Sequence, residues 1–180
     1  RVVASTLSDI YSAVTAAIGA LKGPLHGGAN ERVMDVLTAI PTVEAADGWV
    51  REQFAARQKI MGFGHRVYKE GDPRARLLKP LCMNLAAQTG HEAMETVAER
   101  IEQVVAKEKK GLLPNVDWPA GRMFYYLGLP IDIYTPLFVV SRVAGWSAHI
   151  IEQLDNNRIM RPRANYTGPK PRQWVPLSER

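Results

Sequence analysis

Three titratable side chains stand where glycine or proline punctuates the chain, and together they could move a proton at a carbon centre. His26 lies within Lys22-Gly23-Pro24-Leu25-His26-Gly27-Gly28-Ala29-Asn30-Glu31, between an amphipathic run ending at Leu21 and a helical pattern beginning near Asn30. His65 follows Met61-Gly62-Phe63-Gly64 and precedes Arg66. Asp117 sits between Pro114 and Pro119, just ahead of another helical pattern. Glycine permits positive φ and close backbone approach, while proline fixes its own φ, so each group is held at the mouth of a helix. A carboxylate base with two imidazoles suits enolisation. Asp117 would take a proton alpha to a carbonyl, one histidine would stabilise the oxygen as charge develops, and the other would polarise a second carbonyl. Arg74, Arg142 and Arg161 are candidate clamps for carboxylates, because the guanidinium fork is planar and bidentate. The plain alternative at His26 is a helix C-cap glycine beside a surface histidine.

The elements that must hold these groups are helical. Leu7, Ile10, Tyr11, Val14, Ile18 and Leu21 follow i, i+3, i+4 spacing behind Ser8-Asp9, and Arg1–Ser5 read as the end of an earlier helix. A short helix is expected from Asn30 to Ile40, closed by Pro41. Thr42 then caps a longer one with Val43, Ala46, Val50 and Phe54 on its apolar face. Asp72-Pro73 pairs an N-cap carboxylate with proline at the first helical position; that helix carries Leu77, Leu78, Leu81 and Leu85 and ends at Gly90. Met94, Val97, Ala98, Ile101, Val104 and Val105 define the next, finishing in Lys107, Lys109 and Lys110, where cations suit the helix dipole. Further helices run from Asp117 to near Gly128 and from Thr135-Pro136 through Leu154. Pro162, Pro169, Pro171 and Pro176 exclude helix from the tail, which should run extended over a surface. Strand signals are scarce, and the expected fold class is all-α.

Composition narrows the classes. At 180 residues, 46% hydrophobic and 23% charged, the chain can bury a core. No run approaches the ~18 apolar residues of a membrane span, and no signal peptide is read at its head. The single cysteine, Cys82, cannot form an internal disulfide, so a cytoplasmic location is expected. The chain opens at Arg1 in mid-pattern, so a longer parent is expected. The net charge of +5 is concentrated in residues 158–180, which hold six basic side chains against Glu179. Such a tail needs an anionic destination, but it lacks a nucleic-acid signature, and no nucleic-acid or membrane partner is expected. There is no GxxxxGK[ST], HExxH or CxxC, and no histidine has an i, i+4 partner, so no metal site is expected. His91 reads as a solvated helix start and His149 as a partly buried core histidine. Trp49, Trp118 and Trp146 read as packing, and the lysines at 107, 109 and 110 as a solvated helix end.

Gly23-Pro24-Leu25-His26-Gly27-Gly28-Ala29-Asn30, Gly62-Phe63-Gly64-His65-Arg66-Val67-Tyr68, Asp72-Pro73-Arg74 and Pro114-Asn115-Val116-Asp117 resemble, in order and spacing, the motifs of the citrate synthase family. The similarity runs through Arg161-Pro162-Arg163 to the end. The resemblance implies condensation of acetyl-CoA with oxaloacetate and water to citrate and CoA. His26 would hydrogen-bond the thioester carbonyl and stabilise its enol, Asp117 would remove the methyl proton, and His65 would bind oxaloacetate and polarise its ketone. Arg74 and Arg142 would hold the oxaloacetate carboxylates, and Arg161 would reach into the neighbouring subunit's site. The backbone of Ile60, Met61, Gly62, Phe63 and Gly64 would lie against the CoA adenine. No permanently bound cofactor is implied, acetyl-CoA being a co-substrate. A homodimer with shared active sites is implied, as is a division into a large-domain segment (1–27), a small CoA-binding domain (28–128) and a further large-domain segment with an extended tail (129–180). A further oxaloacetate-binding histidine is implied upstream of the first motif, before Arg1.

Two alternatives stay open. A 2-methylcitrate synthase would use propionyl-CoA in place of acetyl-CoA on the same architecture. An inactive fragment would serve instead as a helical oligomerisation module whose basic tail docks a partner.

Overall fold

Among the described residues seven α-helices follow one another: α1 (Ile10–Lys22), α2 (Ala29–Ala39), α3 (Val43–Ala55), α4 (Pro73–Thr89), α5 (Glu92–Glu108), α6 (Asp117–Tyr126) and α7 (Tyr134–Asp155). This computed structural model describes residues 1–23, 26–170 and 172–180; Pro24 and Leu25 of the first motif and Pro171 of the tail lie outside the described residues. Short 3₁₀ turns occupy Ala4–Thr6, Ile131–Ile133 and Leu177–Glu179. Among the described residues no β-strand forms, and the fold is all-α. None of the described helices is long and apolar enough to cross a membrane.

The helix boundaries follow local chemistry. Asp9 accepts a hydrogen bond from Ser12 N (2.9 Å) and so caps α1, while Thr42 Oγ1 accepts from Ala45 N (3.4 Å) at the start of α3. Asp72 accepts from Arg74 N (3.0 Å) with Pro73 opening α4. Gly90 ends α4 in the left-handed region (φ +73°), with His91 N donating to Ala86 O at 2.9 Å.

The main core is made by α2, α3, α5 and α6. Val33, Met34, Val50, Ile101, Val105 and Trp118 are all fully buried there, as the periodicity of α3 and α5 predicts. Removing each such side chain from water contributes about 1.5–3 kcal/mol. A partly exposed carboxylate–guanidinium pair also links α3 to α5, where Arg100 donates through Nε and Nη2 to Asp47.

Three apolar stripes read from the sequence are not where the burial is. On α4, Leu77 and Leu81 are exposed and the buried residues are Ala75, Cys82 and Ala86. α6 packs close against this helix, and small side chains allow that approach where leucines would not. On α1, Ile10, Tyr11 and Ile18 are exposed, as is Leu7, which caps the preceding 3₁₀ turn at φ +64°. On α7, Val140, Ile151 and Leu154 are exposed. α1 and α7 pack on each other through the small contact of Ala4, Ala13 and Ile150, so their outer faces meet no described residue. His149 is on such a face: its side chain is 64% exposed, and Nδ1 lies 2.8 Å from Arg1 Nη2 rather than in a core.

Candidate active site

The loop that carries His65 is stitched to the loop that carries Asp117. Gly64 N donates to Leu113 O (2.7 Å), Asn115 N donates to Gly62 O (2.8 Å), and Asn115 Nδ2 donates to Gly64 O (2.9 Å). An antiparallel bridge pairs Phe63 with Pro114. Only glycine fits at position 62: φ is +84°, and a Cβ there would lie 2.8 Å from Val33 Cγ2 and 2.9 Å from Trp118 Cε3. The result is a close approach of the loop backbone to the core beneath it.

At the end of this loop, His65 Nδ1 accepts hydrogen bonds from Val67 N and Tyr68 N, each 3.1 Å. In the neutral ring that acceptor role leaves the proton on Nε2, which is therefore a donor. The ring also lies 4.5 Å from the Tyr68 ring. On the facing loop, Asn115 Oδ1 accepts from Asp117 N (3.0 Å), which sets the first residue of α6. The half-buried Asp117 carboxyl has its pKa pushed up to about 6. Burial is the main cause; Arg74 and His65 pull it down, and the Asp72 charge adds to the rise.

His26 is exposed at the turn between α1 and α2. Its N–H donates to Gly23 O (2.9 Å), and Gly27 N donates to Leu21 O (2.8 Å). A Cβ on Gly27 would sit 2.5 Å from that same oxygen, so this turn too requires glycine. Thr135 N donates to Glu31 Oε1 (3.1 Å), and the Thr135 hydroxyl bonds the same carboxylate, which ties the start of α2 to the start of α7.

Asp72 is the hub that sequence reading saw only as a cap. Its carboxylate is fully buried and accepts from Arg74 Nε (3.0 Å) and Nη2 (2.9 Å), and from Val116 N (3.0 Å), next to Asp117. Burial would raise its pKa, but the Arg74 hydrogen bonds, the Arg74 charge and the Val116 N–H together hold it below the usual carboxylate range. Asp72 thereby links the candidate carboxylate clamp to the candidate base.

These pieces meet in one cleft of about 970 Å³. It is lined by His26, His65 and Asp117, by Ile60, Met61, Gly62, Phe63 and Gly64, and by Arg74 and Arg142. Of the residues singled out from the sequence, Arg161 alone lies outside it, in the exposed tail beyond α7. The cleft also gathers Lys109 at the end of α5, for which phosphate contact is the lesser of two sequence readings, and cations given no role from the sequence: Arg57 and Lys59 after α3, and Arg66 and Lys69 beside His65. Lys109 is thus a wall of the cleft rather than merely a solvated helix end. The visible signal was basic residues clustering on both sides of the His65 loop. With Asp117 the one carboxylate in the described lining, the cleft is built to attract anions.

Comparison with known proteins identifies the family. The chain matches the family model described as "Citrate synthase, C-terminal domain" over residues 1–163. It is 56% identical to Citrate synthase 2 of Bacillus subtilis (strain 168), covering 100% of this chain and 48% of that protein. It is 48% identical to 2-methylcitrate synthase 1 of Corynebacterium glutamicum, covering 100% of this chain and 47% of that protein. Among solved structures, the ternary complex of carboxymethyl coenzyme A and oxaloacetate with citrate synthase from Thermoplasma acidophilum superposes with a TM-score of 0.90 at 41% identity. That match covers 99% of this chain and 49% of the other. The chain therefore spans about half the length of the relatives it matches. With the C-terminal domain matched from residue 1 to residue 163 and the motif residues converging on one cleft, the chain belongs to the citrate synthase family.

Proposed function

We propose that this chain supplies the catalytic trio of an enzyme that condenses acetyl-CoA with oxaloacetate and water, releasing citrate and CoA. The observation that carries the reading is a carboxyl at Asp117 with its pKa near 6, set opposite the His65 loop in a cationic cleft. Such a group is ionised at neutral pH yet a better base than an ordinary carboxylate. Asp117 takes a proton from the acetyl methyl, and the C–H electrons move into the thioester as its oxygen gains charge. His26 stabilises that oxygen with a hydrogen bond. The enol carbon then forms a bond to the oxaloacetate ketone carbon as the thioester carbonyl re-forms. The ketone C=O pair moves onto its oxygen, which His65 polarises and protonates through Nε2–H, and water cleaves the C–S bond to release the carboxylate and the CoA thiol. Arg74 and Arg142 hold the oxaloacetate carboxylates, and the Ile60–Gly64 backbone carries the CoA adenine. Arg57, Lys59, Lys69 and Lys109 favour the polyanionic end of the acyl-CoA.

The same reading divides the chain into large-domain segments at 1–27 and 129–180 around a small domain at 28–128. It makes the working unit a homodimer in which Arg161 reaches the partner's cleft. The separate cluster of Ala4, Ala13 and Ile150 between α1 and α7 supports that division, with only the start of α7, at Tyr134, entering the α2–α6 core. A second reading, in which propionyl-CoA is the donor, is favoured by the 48% identity to a 2-methylcitrate synthase; comparing kcat/KM for acetyl-CoA and propionyl-CoA separates the two.

The test of the mechanism is solvent exchange of the acetyl-CoA methyl protons in full-length protein. Asp117→Asn should lower the exchange rate by on the order of 10² to 10⁴ while oxaloacetate binding stays largely intact. Near-native exchange would reduce Asp117 to a helix-start residue.

A further inference from the structure

A second cavity, of about 190 Å³, lies beside the Asp72 hub and shares no lining residue with the cleft. Its walls come from the Glu70–Asp72 turn, α4, Glu102 of α5, the Leu113-Pro114 segment and α6. Much of that wall is apolar: Ala75, Leu113, Pro114 and Pro119. Arg122 lines it from within the fold, 1% exposed, with its guanidinium 5.3 Å from the centroid of the Trp118 ring. Its charge is paired, since Nη1 lies 3.1 Å from Glu95 Oε1 and Nη2 3.8 Å from Glu102 Oε1. Its hydrogen-bonding capacity is not: neither Nε, Nη1 nor Nη2 is aligned on an acceptor among the described residues. A buried donor left without an acceptor is costly, and a guanidinium has five N–H groups to satisfy.

Of the three carboxylates in the lining, Asp72 and Glu102 are already committed, while Glu70 is exposed on the turn before Asp72. Glu102 accepts from Lys79 Nζ (2.5 Å) and Trp118 Nε1 (2.9 Å), Glu95 accepts from Tyr126 Oη (2.9 Å), and Asp72 is held by Arg74 and Val116. Arg76 lines the same cavity, and its recorded hydrogen bond is a long one, 3.4 Å, to the backbone oxygen of Glu70. Two arginines with unfilled donor capacity therefore line a small space whose wall is largely apolar and also carries Lys79 and the carboxylates of Glu70, Asp72 and Glu102. The chemistry that fits is an anionic, planar, two-oxygen head on a short hydrocarbon body.

We propose that this cavity binds a small organic carboxylate, whose oxygens accept from Arg122 and Arg76 and whose apolar body lies on Leu113, Pro114 and Pro119. At roughly 30 Å³ per water-sized group, the space suits a ligand of on the order of six non-hydrogen atoms. The site is a separate space from the cleft, bordering it through Asp72.

The test is calorimetric titration of full-length protein with straight-chain monocarboxylates from acetate to hexanoate, and with inorganic phosphate as a probe of charge alone. Because the cleft also attracts carboxylates, the titrations are run in an Arg142→Ala background. Saturable binding is expected, strengthening with chain length until the body fills the cavity. Arg122→Lys, which keeps a cation opposite Glu95, should weaken it about tenfold by removing the fork. Arg76→Ala, at an exposed position that does not threaten folding, should weaken it severalfold. Absence of saturable binding overturns the proposal, as does binding that both variants leave unchanged. Phosphate binding as tightly as the best carboxylate overturns it too, since the apolar wall would then contribute nothing.

Discussion

Asp117 and Asp72 are joined through Arg74 and the α6 start, yet they respond to pH with opposite signs. Asp117's pKa in the folded chain, about 6, lies above its ordinary 3.8, so its proton is held more tightly in the folded than in the unfolded chain. Its contribution to stability is therefore present below pH ~4 and lost as pH rises through about 6. Asp72's pKa is depressed, so its contribution is present above the ordinary carboxylate range and lost on acidification through its folded-state value. Asp117→Asn, which mimics the protonated acid, should accordingly raise the thermal midpoint at pH 7 to 8. That gain should vanish near pH 4, and a gain independent of pH would sink the argument. In the unmodified enzyme, kcat/KM should fall on the acid side with an apparent pKa near 6, as the base becomes protonated. Arg74 tests the neighbouring clamp. Two of its N–H groups already serve Asp72, so on the proposed reading oxaloacetate would be met by the remaining edge of the fork. Arg74→Lys keeps the charge but loses both faces of that fork. It should raise the oxaloacetate KM by about 10- to 100-fold with a much smaller effect on acyl-CoA; an equal loss for both would remove Arg74 from the oxaloacetate site. His26, His65 and Asp117 were legible because glycine and proline flag the turns that hold them. The Asp72 to Val116 bond was not, because it spans 44 residues and depends on how two loops meet.

What positions these groups is less any helix than the pair of loops between helices. The Ile60–His65 loop and the Leu113–Asp117 segment are zipped by backbone bonds and by Asn115, whose side chain serves one loop through Nδ2 and the other through Oδ1. Gly62 and Gly64 both have positive φ, but their surroundings differ. A Cβ at Gly62 would press into Val33 and Trp118, whereas at Gly64 the nearest atom is Leu112 Cδ1 at 3.2 Å. Gly64→Ala should therefore cost mainly backbone strain, about 1–2 kcal/mol, and Gly62→Ala about 2–4 kcal/mol because overpacking is added. Denaturant unfolding of the two variants measures the difference, and equal losses would mean that the Trp118 contact gives way easily. The sequence announced these glycines as punctuation but could not say which one abuts the core. The same limit applies to helices. In α5 the apolar period and the buried face coincide, since a core closes around it. In α4 the burial went to alanines and a cysteine, because closeness to α6 outweighed side-chain size.

At the scale of the molecule, the exposed apolar faces of α1 and α7 and the extended tail set the remaining question, which is where Arg161 acts. The proline spacing predicts an extended tail, and among the described residues after Asp155 no helix forms beyond the short turn at Leu177–Glu179. Arg161 is exposed and outside its own cleft, so a carboxylate clamp there needs a second copy of the chain to bring a cleft to it. A symmetric dimer would do this twice, each tail completing the other's site. The arrangement can be tested with two defective subunits, Arg161→Ala and Asp117→Asn, neither of which should form an active homodimer. In a mixed dimer, the cleft of the Arg161→Ala subunit has its own intact Asp117 and receives intact Arg161 from its partner, so one of the two sites is whole. The other site lacks both. Random re-association of equal amounts should then restore about a quarter of the unmodified activity, half of the dimers being mixed and half of their sites complete. Were Arg161 to act in its own subunit's cleft, every mixed dimer would carry one defect in each site, and activity would stay at the homodimer level. Mass measurement of the re-associated sample shows whether mixed dimers have formed, so silence in the assay with mixed dimers present assigns Arg161 to its own chain.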